Sequence, residues 1–134
     1  MSRYLSKSKY TSFRQCPKIL WMRTYKPDEE VIDPALQARF ESGNEVGDLA
    51  MGLFGEFEEV TSYDAAGKLD LSEMLSRTKD CLSRGVENIC EASFSWDGNY
   101  CAVDILHRQG DGYAVYEVKS STNSSSEPAE PEEL

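Results

Sequence analysis

The spacing of apolar residues predicts three helical regions in the first two thirds of the chain, because apolar positions recur there at intervals of three and four. The first region begins at a Ser6 or Ser8 cap, and Pro17 marks either a kink or the start of a second helix. We expect its aromatic residues, with Tyr25, to lie in the core rather than to form a base-stacking platform. The apolar face consists of Tyr10, Phe13, Ile19, Leu20 and Trp21.

The second helical region follows a loop at residues 26–34, with Asp33 as the cap and Pro34 as the first helical residue. Its apolar positions recur up to an end near Gly52 or Gly55. Two glycines on this face suggest close packing against another backbone. The face consists of Leu36, Phe40, Gly43, Val46, Gly47, Ala50 and Leu53.

The third helical region follows a short strand expected at residues 57–63. Asp70 and Glu73 resemble a capping box that opens the helix, and Gly85 ends it. Its inward positions are Leu71, Met74, Leu75, Thr78, Cys81 and Leu82.

Three β-type runs follow at residues 89–96, 99–107 and 112–120. Asp97-Gly98 is a strong hairpin signal, and as a two-residue turn it places Trp96 opposite Asn99. Counting back along the same ladder then places Glu91 directly opposite Asp104.

The second hairpin turn has two possible positions. A turn at Gly110-Asp111 places Asp104 opposite Glu117, whereas a turn at Asp111-Gly112 places Asp104 opposite Lys119 with Glu117 on the diagonal. In both cases the alternation of side chains puts Glu91, Asp104, Glu117 and Lys119 on one face of the sheet.

This row of carboxylates predicts a cation site. Directly opposed residues lie about 5 Å apart, where like charges destabilise a sheet. A hard divalent cation is the natural partner for two or three oxygens, although Lys119 can also neutralise one carboxylate. The alternative is a solvated polar face. Apolar neighbours on the same face favour a pocket; they are Ala102, Leu106 and Val115.

Length and composition indicate one modest core in a chain of 134 residues, 40% of them apolar. We assign residues 1–122 to a single domain and residues 123–134, with four carboxylates and no large apolar residue before Leu134, to a disordered acidic tail. No run of 18 apolar residues occurs and no apolar stretch follows the basic start. These features exclude a membrane span and a signal peptide, so we expect a soluble cytoplasmic protein.

The net charge of −10 is unevenly distributed. Residues 1–26 hold seven bases and no acid, whereas residues 27–122 hold seven bases and twenty acids. The acidic total argues against nucleic acid, but the basic segment favours contact with phosphates. The candidate residues for DNA contact are Lys7, Lys9, Arg14 and Lys18.

The cysteines and the histidine carry no metal-binding spacing. Successive cysteines lie 65, 9 and 11 residues apart, so there is no C-x-x-C pair, and a reducing compartment favours free thiols. His107, at the end of a β-type run, is expected at the surface or in a turn. The four cysteines are Cys16, Cys81, Cys90 and Cys101.

The pattern Asp104, twelve residues, then Glu117-Val118-Lys119 resembles the D-(x)n-E-x-K signature of the PD-(D/E)XK nuclease superfamily, in its RecB-like branch. The segment YLSKSKYTSFRQCPKILW is similar to the opening of CRISPR-associated RecB-like exonucleases and their bacterial relatives. FESGNEVGDLA is similar to the helical motif that follows it in those proteins. The resemblance extends from Tyr4 to Thr122.

This resemblance implies an α+β or α/β fold with a restriction-endonuclease-like core, in which N-terminal helices pack on a three-stranded antiparallel meander. It implies that Asp104 and Glu117 hold Mg²⁺ or Mn²⁺, that Lys119 orients or activates water, and that Glu91 is a further ligand or support. Cys16 matches the first cysteine of a [4Fe-4S] cluster in some relatives, but its three partners would lie outside this chain. Within the chain we favour a free thiol.

The sequence departs from the family pattern in two places. Where RecB-like enzymes place a histidine after the helix glycine, this chain has Gly47. Asp48 or Glu45 can substitute for the histidine, but we expect each to be a solvated helix residue. The core helix and strand that follow E-x-K are replaced by the acidic tail, so we expect an N-terminal fragment or a shortened relative. Its exposed sheet edge favours a homodimer.

Three functions remain open at this point. The first is a metal-dependent DNA nuclease. The second is a nucleic-acid-binding module on the same fold that does not cleave. The third is an α+β interaction domain whose acidic face is solvated.

Overall fold

The structure, a computed structural model, describes residues 4–120. The expected acidic tail at residues 123–134 lies outside these described residues. Within them the fold is mixed α+β, with four helices and a five-stranded mixed sheet. The helices are α1 (Lys7–Gln15), α2 (Pro17–Tyr25), α3 (Pro34–Met51) and α4 (Leu71–Arg84), with a 3-10 turn at Pro27–Glu29.

Side-chain caps start three of these helices, as the sequence predicts. The Ser6 hydroxyl accepts the Lys9 N–H at 3.2 Å, the Asp33 carboxylate accepts the Leu36 N–H, and the Asp70 carboxylate accepts the Glu73 N–H. Pro17 begins a second helix rather than a kink. None of the helices within residues 4–120 is long and apolar enough to cross a membrane.

The sheet is larger than the predicted meander. Its strands are β1 (Leu5–Ser6), β2 (Glu58–Glu59), β3 (Asn88–Trp96), β4 (Asn99–Gln109) and β5 (Gly112–Tyr116). The antiparallel meander β3–β4–β5 is confirmed. In addition, β1 pairs in parallel with the start of β4, and β2 pairs in parallel with β3. The strand expected at residues 57–63 is therefore confined to two residues, and β5 ends before Glu117.

The core lies between α4 and the centre of the sheet. Its buried side chains come from the loop before α4, from α4 itself and from the two long strands, and they are Val60, Cys81, Ile89, Ala92 and Leu106. Thr78 on α4 is also buried, and its hydroxyl accepts the backbone N–H of Ser93 at 2.8 Å. Helix α4 is thereby fixed against β3, the strand that carries Glu91.

An ion-pair cluster holds α4 against the edge strand β2. The Arg84 guanidinium donates to both carboxylate oxygens of Glu58, at 2.8 and 2.7 Å, and to Asp80. The hydrogen bonds from Arg84 lower the pKa of Glu58 to about 2, against the opposing effect of burial. Charge pairing thus fixes the short strand whose two residues offer few ladder hydrogen bonds.

The expectation that the apolar face of α3 is buried is wrong for several residues. No residue of α3 is fully buried, and Phe40 is 46% exposed. Leu53, which lies beyond the end of the helix, is 64% exposed. The two glycines do not approach another backbone either. A Cβ on Gly43 would meet only the Ser120 hydroxyl at 3.8 Å, and a Cβ on Gly47 would meet nothing within 4 Å. Their effect is to leave space beside the sheet.

The N-terminal aromatic residues also lie outside the core, contrary to expectation. Tyr10, Phe13 and Trp21 are each 50% exposed, and Tyr25 is 64% exposed. Only Ser12 is buried among the described residues of α1 and α2. Helical spacing shows which side chains share a face, but two short helices that chiefly contact each other leave that face uncovered.

Candidate functional site

The β3–β4 hairpin has the predicted register. Trp96 pairs with Asn99 across the Asp97-Gly98 turn, whose two residues both have positive φ, as a type I′ turn requires. Pairs at Cys90–Ile105 and Ala92–Val103 flank Glu91 and Asp104, which are therefore opposed by the count. The ladder is interrupted at this point, because Glu91 has φ 57°, in the left-handed region.

The second hairpin turns at Gly110-Asp111, which excludes the alternative at Asp111-Gly112. Gln109 pairs with Gly112, and the ladder continues to Ile105–Tyr116. Glu117 follows directly and so lies next to Asp104 in the register. The Asp104 carboxylate accepts the backbone N–H of Val118 at 2.6 Å. This hydrogen bond holds the E-x-K segment against β4 after the strand itself has ended.

Glu91 and Asp104 line a common cavity of about 210 Å³ between the sheet and α3. The wall on the helix side includes Gly43, Gly47 and Asp48. The two glycines predicted to allow close packing therefore border a polar cavity, and neither adds a side chain to it. Asp48 adds a third carboxylate to the lining.

The electrostatics of this cavity oppose the ionisation of Glu91. Burial raises the pKa of Glu91, and the neighbouring carboxylates of Asp104, Glu59 and Glu117 raise it further, while Lys7 acts in the opposite direction. Without a cation, two carboxylates that share a half-buried cavity repel each other.

Glu117 lies beside this cavity and is paired with two lysines. Its carboxylate accepts hydrogen bonds from Lys119 at 2.6 Å and from Lys7 on α1. These bonds, that from Lys119 first, lower the pKa of Glu117, and the same carboxylate raises the pKa of Lys119. Glu117, Lys7 and Lys119 border a separate surface depression next to β4. Within residues 4–120, no group of three or more His, Cys, Asp or Glu side chains is arranged to hold a metal ion.

Of the four basic residues predicted to contact DNA, only Lys7 contacts a carboxylate of the candidate site, that of Glu117. Lys9 donates to the backbone oxygen of Tyr4 at 3.3 Å, while Arg14 and Lys18 are exposed on α1 and α2. No local pattern predicts the contact between Lys7 and Glu117, because it joins residues 110 positions apart. The parallel pairing of β1 with β4, which brings them together, has no hairpin signal.

All four cysteines are free thiols at separate positions. Cys16 is half-buried between α1 and α2, where it is the N-terminal cap residue of α2. Cys81 and Cys90 are buried, and burial, with the carboxylates of Glu59 and Glu91, raises the pKa of Cys90 to about 11. These environments favour the protonated thiol at Cys90.

The expectation that His107 lies at the surface or in a turn is wrong. The side chain is half-buried within β4, stacked on Phe54 with ring centroids 4.0 Å apart, and its Nδ1 is 2.7 Å from the Asn88 side-chain oxygen. Asn88 in turn donates to the backbone of Phe54 and Glu56. His107 therefore fixes the segment after α3 against the sheet.

Comparison with known proteins identified no relative of this chain. No protein-family model, curated protein or solved structure matches the chain.

Proposed function

We propose that this chain is a metal-dependent nuclease domain that hydrolyses phosphodiester bonds in DNA, on a restriction-endonuclease-like core. The observation that carries the proposal is the meeting of Glu91 and Asp104 in one cavity, with Glu117 and Lys119 held beside it. The hydrogen bond from Val118 to Asp104 keeps this arrangement in place. The likeness of the same residues to the D-(x)n-E-x-K signature supports the same reaction.

The donor set fits a hard divalent cation. Mg²⁺ is commonly held by one or two carboxylates, with water and substrate phosphates as its other ligands, so a cage of three protein ligands is not required. Glu91 and Asp104 supply two carboxylates whose repulsion such a cation relieves. Glu117 is a further oxygen donor beside them. When bound, Mg²⁺ or Mn²⁺ lowers the pKa of a water ligand and neutralises charge on the phosphate.

The two lysines that contact Glu117 have different roles in this proposal. Lys119 is 67% exposed and stays charged, so its ammonium group can donate a hydrogen bond to the attacking water or to a phosphate oxygen. Lys7, which is paired with the same carboxylate, can exchange that partner for a phosphate oxygen of the DNA. Its departure leaves Lys119 as the partner of Glu117 Oε1.

One observation favours a second candidate, a DNA-binding module that does not cleave. Both hydrogen bonds from lysine to Glu117 end on the same oxygen, Oε1, and they neutralise this carboxylate without a metal. In such a module Lys7 would remain paired with Glu117, so that only Glu91 and Asp104 would be available to a cation. The lysines of the site would contact the DNA phosphates.

Cleavage of linear and circular DNA in Mn²⁺ or Mg²⁺ tests the proposal. We expect the wild-type chain to cut, and Asp104→Asn or Glu117→Ala to reduce the rate by more than about 100-fold, beyond the range typical of changes outside the metal ligands. Asp111→Asn, the same change in the exposed β4–β5 turn, is the matched control and should cut normally.

Two results would contradict the nuclease proposal. Cleavage that is indifferent to Asp104→Asn would remove the site from the mechanism. Metal-independent DNA binding without any cleavage would favour the binding module instead.

A further inference from the structure

We propose that an exposed aromatic groove next to the candidate site binds single-stranded DNA, whose unstacked bases lie against Tyr10, Phe94 and Trp96. This inference rests on the proposed function and names the form of DNA that the site receives. The groove lies where α1 and β1 meet the β3–β4 hairpin and encloses about 660 Å³.

The groove presents aromatic rings and almost no charge. Tyr10 is 50% exposed, Phe94 36% and Trp96 85%, although each belongs to an ordered helix or strand. Lys7 is the only charged residue among those that line the groove within residues 4–120, and no carboxylate lines it. A polyanion with flat apolar bases matches this combination of one cation and several rings.

The spacing of the rings fits one base between two of them. Phe94 and Trp96 are two residues apart on β3 and both line the groove. Such positions are about 7 Å apart along a strand, which is twice the spacing of roughly 3.4 Å between stacked bases. Bases of a duplex are already stacked on each other, so this arrangement favours a single strand.

The groove is continuous with the candidate site. Ser6, Lys7, Tyr100 and Cys101 line both the groove and the depression that holds Glu117 and Lys119. A strand whose bases lie on the rings therefore passes Lys7 with its backbone before it reaches the carboxylates. The composition of the N-terminal segment supports this path of the DNA backbone, because residues 1–26 hold seven bases and no acid.

Binding of labelled oligothymidylate at fixed low salt, in EDTA, tests the inference without cleavage. We expect Trp96→Ala and Tyr10→Ala each to weaken binding roughly tenfold, the effect of losing one stacked base. Trp21→Ala removes an exposed tryptophan on α2 that does not line the groove and should bind normally. In a Trp21→Phe chain, Trp96 is the remaining tryptophan, and its fluorescence should be quenched by the oligonucleotide but much less by the matching duplex.

Three results would overturn the inference. They are unchanged affinity in Trp96→Ala and Tyr10→Ala, equal binding of single strand and duplex, and a dimer of the wild-type chain that Trp96→Ala dissociates. The last result would assign the groove to a second copy. These outcomes are separate from those for the proposed function, because Asp104→Asn should abolish cleavage and retain binding of single-stranded DNA.

Discussion

Replacing Glu91 by glutamine should stabilise the metal-free protein at neutral pH. The substitution keeps the size of the side chain and removes a negative charge. That charge is disfavoured by burial and by repulsion from the Asp104 carboxylate. Two unit charges 5 Å apart repel by about 3 kcal/mol at an effective dielectric of 20 and by about 1 kcal/mol in water. For a half-buried group we expect a gain of about 1–2 kcal/mol.

The gain should depend on pH in a defined direction. The pKa of Glu91 is raised above its ordinary value of 4.5. The wild-type fold therefore binds this proton more readily than the unfolded chain, and it loses stability as pH rises from 4.5 through the raised pKa. Below pH 4.5 the carboxyl group is protonated in both states, so the advantage of Glu91→Gln should disappear there.

Thermal unfolding followed by circular dichroism between pH 4 and 8 measures this effect. A gain of 1–2 kcal/mol corresponds to a rise in Tm of roughly 4–8 °C for a domain of this size. Glu87→Gln, a change to an exposed carboxylate just before β3, is the matched control and should alter Tm little. Addition of Mn²⁺ should reverse the order, since it stabilises the wild-type chain more than Glu91→Gln. A Glu91→Gln chain that is less stable at pH 7, or a difference that does not change with pH, would refute the reasoning.

Three further predictions concern the stability of α4 and of its contact with β2. Because Arg84 lowers the pKa of Glu58 to about 2, Glu58→Gln should destabilise the fold at pH 7 in urea unfolding, and the difference should shrink as pH falls from 4.5 towards 2. Asp70→Ala removes the cap of α4 and should cost about 1 kcal/mol in the same assay. Gly85→Ala places a Cβ at φ 68° and 2.8 Å from the Arg108 side chain, and should cost about 1–2 kcal/mol in thermal unfolding.

Each of these three predictions has a matched control. Glu56→Gln, at an exposed carboxylate before β2, should change the stability at pH 7 much less than Glu58→Gln. Ser72→Ala lies beside the cap of α4 without capping it, and an equal loss there would contradict the capping argument. Gly52→Ala, at a helix end with φ −82°, should be tolerated, so equal destabilisation would show that φ is not the cause.

The register of the hairpins was predictable from the sequence, because short turns fix which residues are opposed. Once Asp97-Gly98 forms the first turn, the pairing of Trp96 with Asn99 determines every later pair along β3 and β4. The register does not predict that the backbone at Glu91 adopts a left-handed conformation. That conformation interrupts the β3–β4 ladder at the residue that faces the cavity.

Contacts between distant segments were not predictable. The place of His107 depends on Phe54, which stacks on it from the segment after α3. The exposure of Tyr10 and Trp21 likewise depends on which segments cover α1 and α2. An apolar or aromatic pattern indicates a face that favours burial, but only the tertiary arrangement supplies the partner.

The two-residue strand β1 has a consequence for the order in which the chain folds and opens. Leu5 and Ser6 can pair with β4 only after Asn99 and Tyr100 have been synthesised, and closing the loop between residues 5 and 99 costs roughly 4 kcal/mol. Few hydrogen bonds offset that cost, whereas β3 and β4 form a local hairpin. We expect backbone amides of β1 and α1 to exchange with solvent earliest, through a local opening that leaves α4 and the hairpin intact. Each such opening carries Lys7 away from Glu117, so access to the carboxylates depends on the docking of this one segment rather than on the stability of the whole domain.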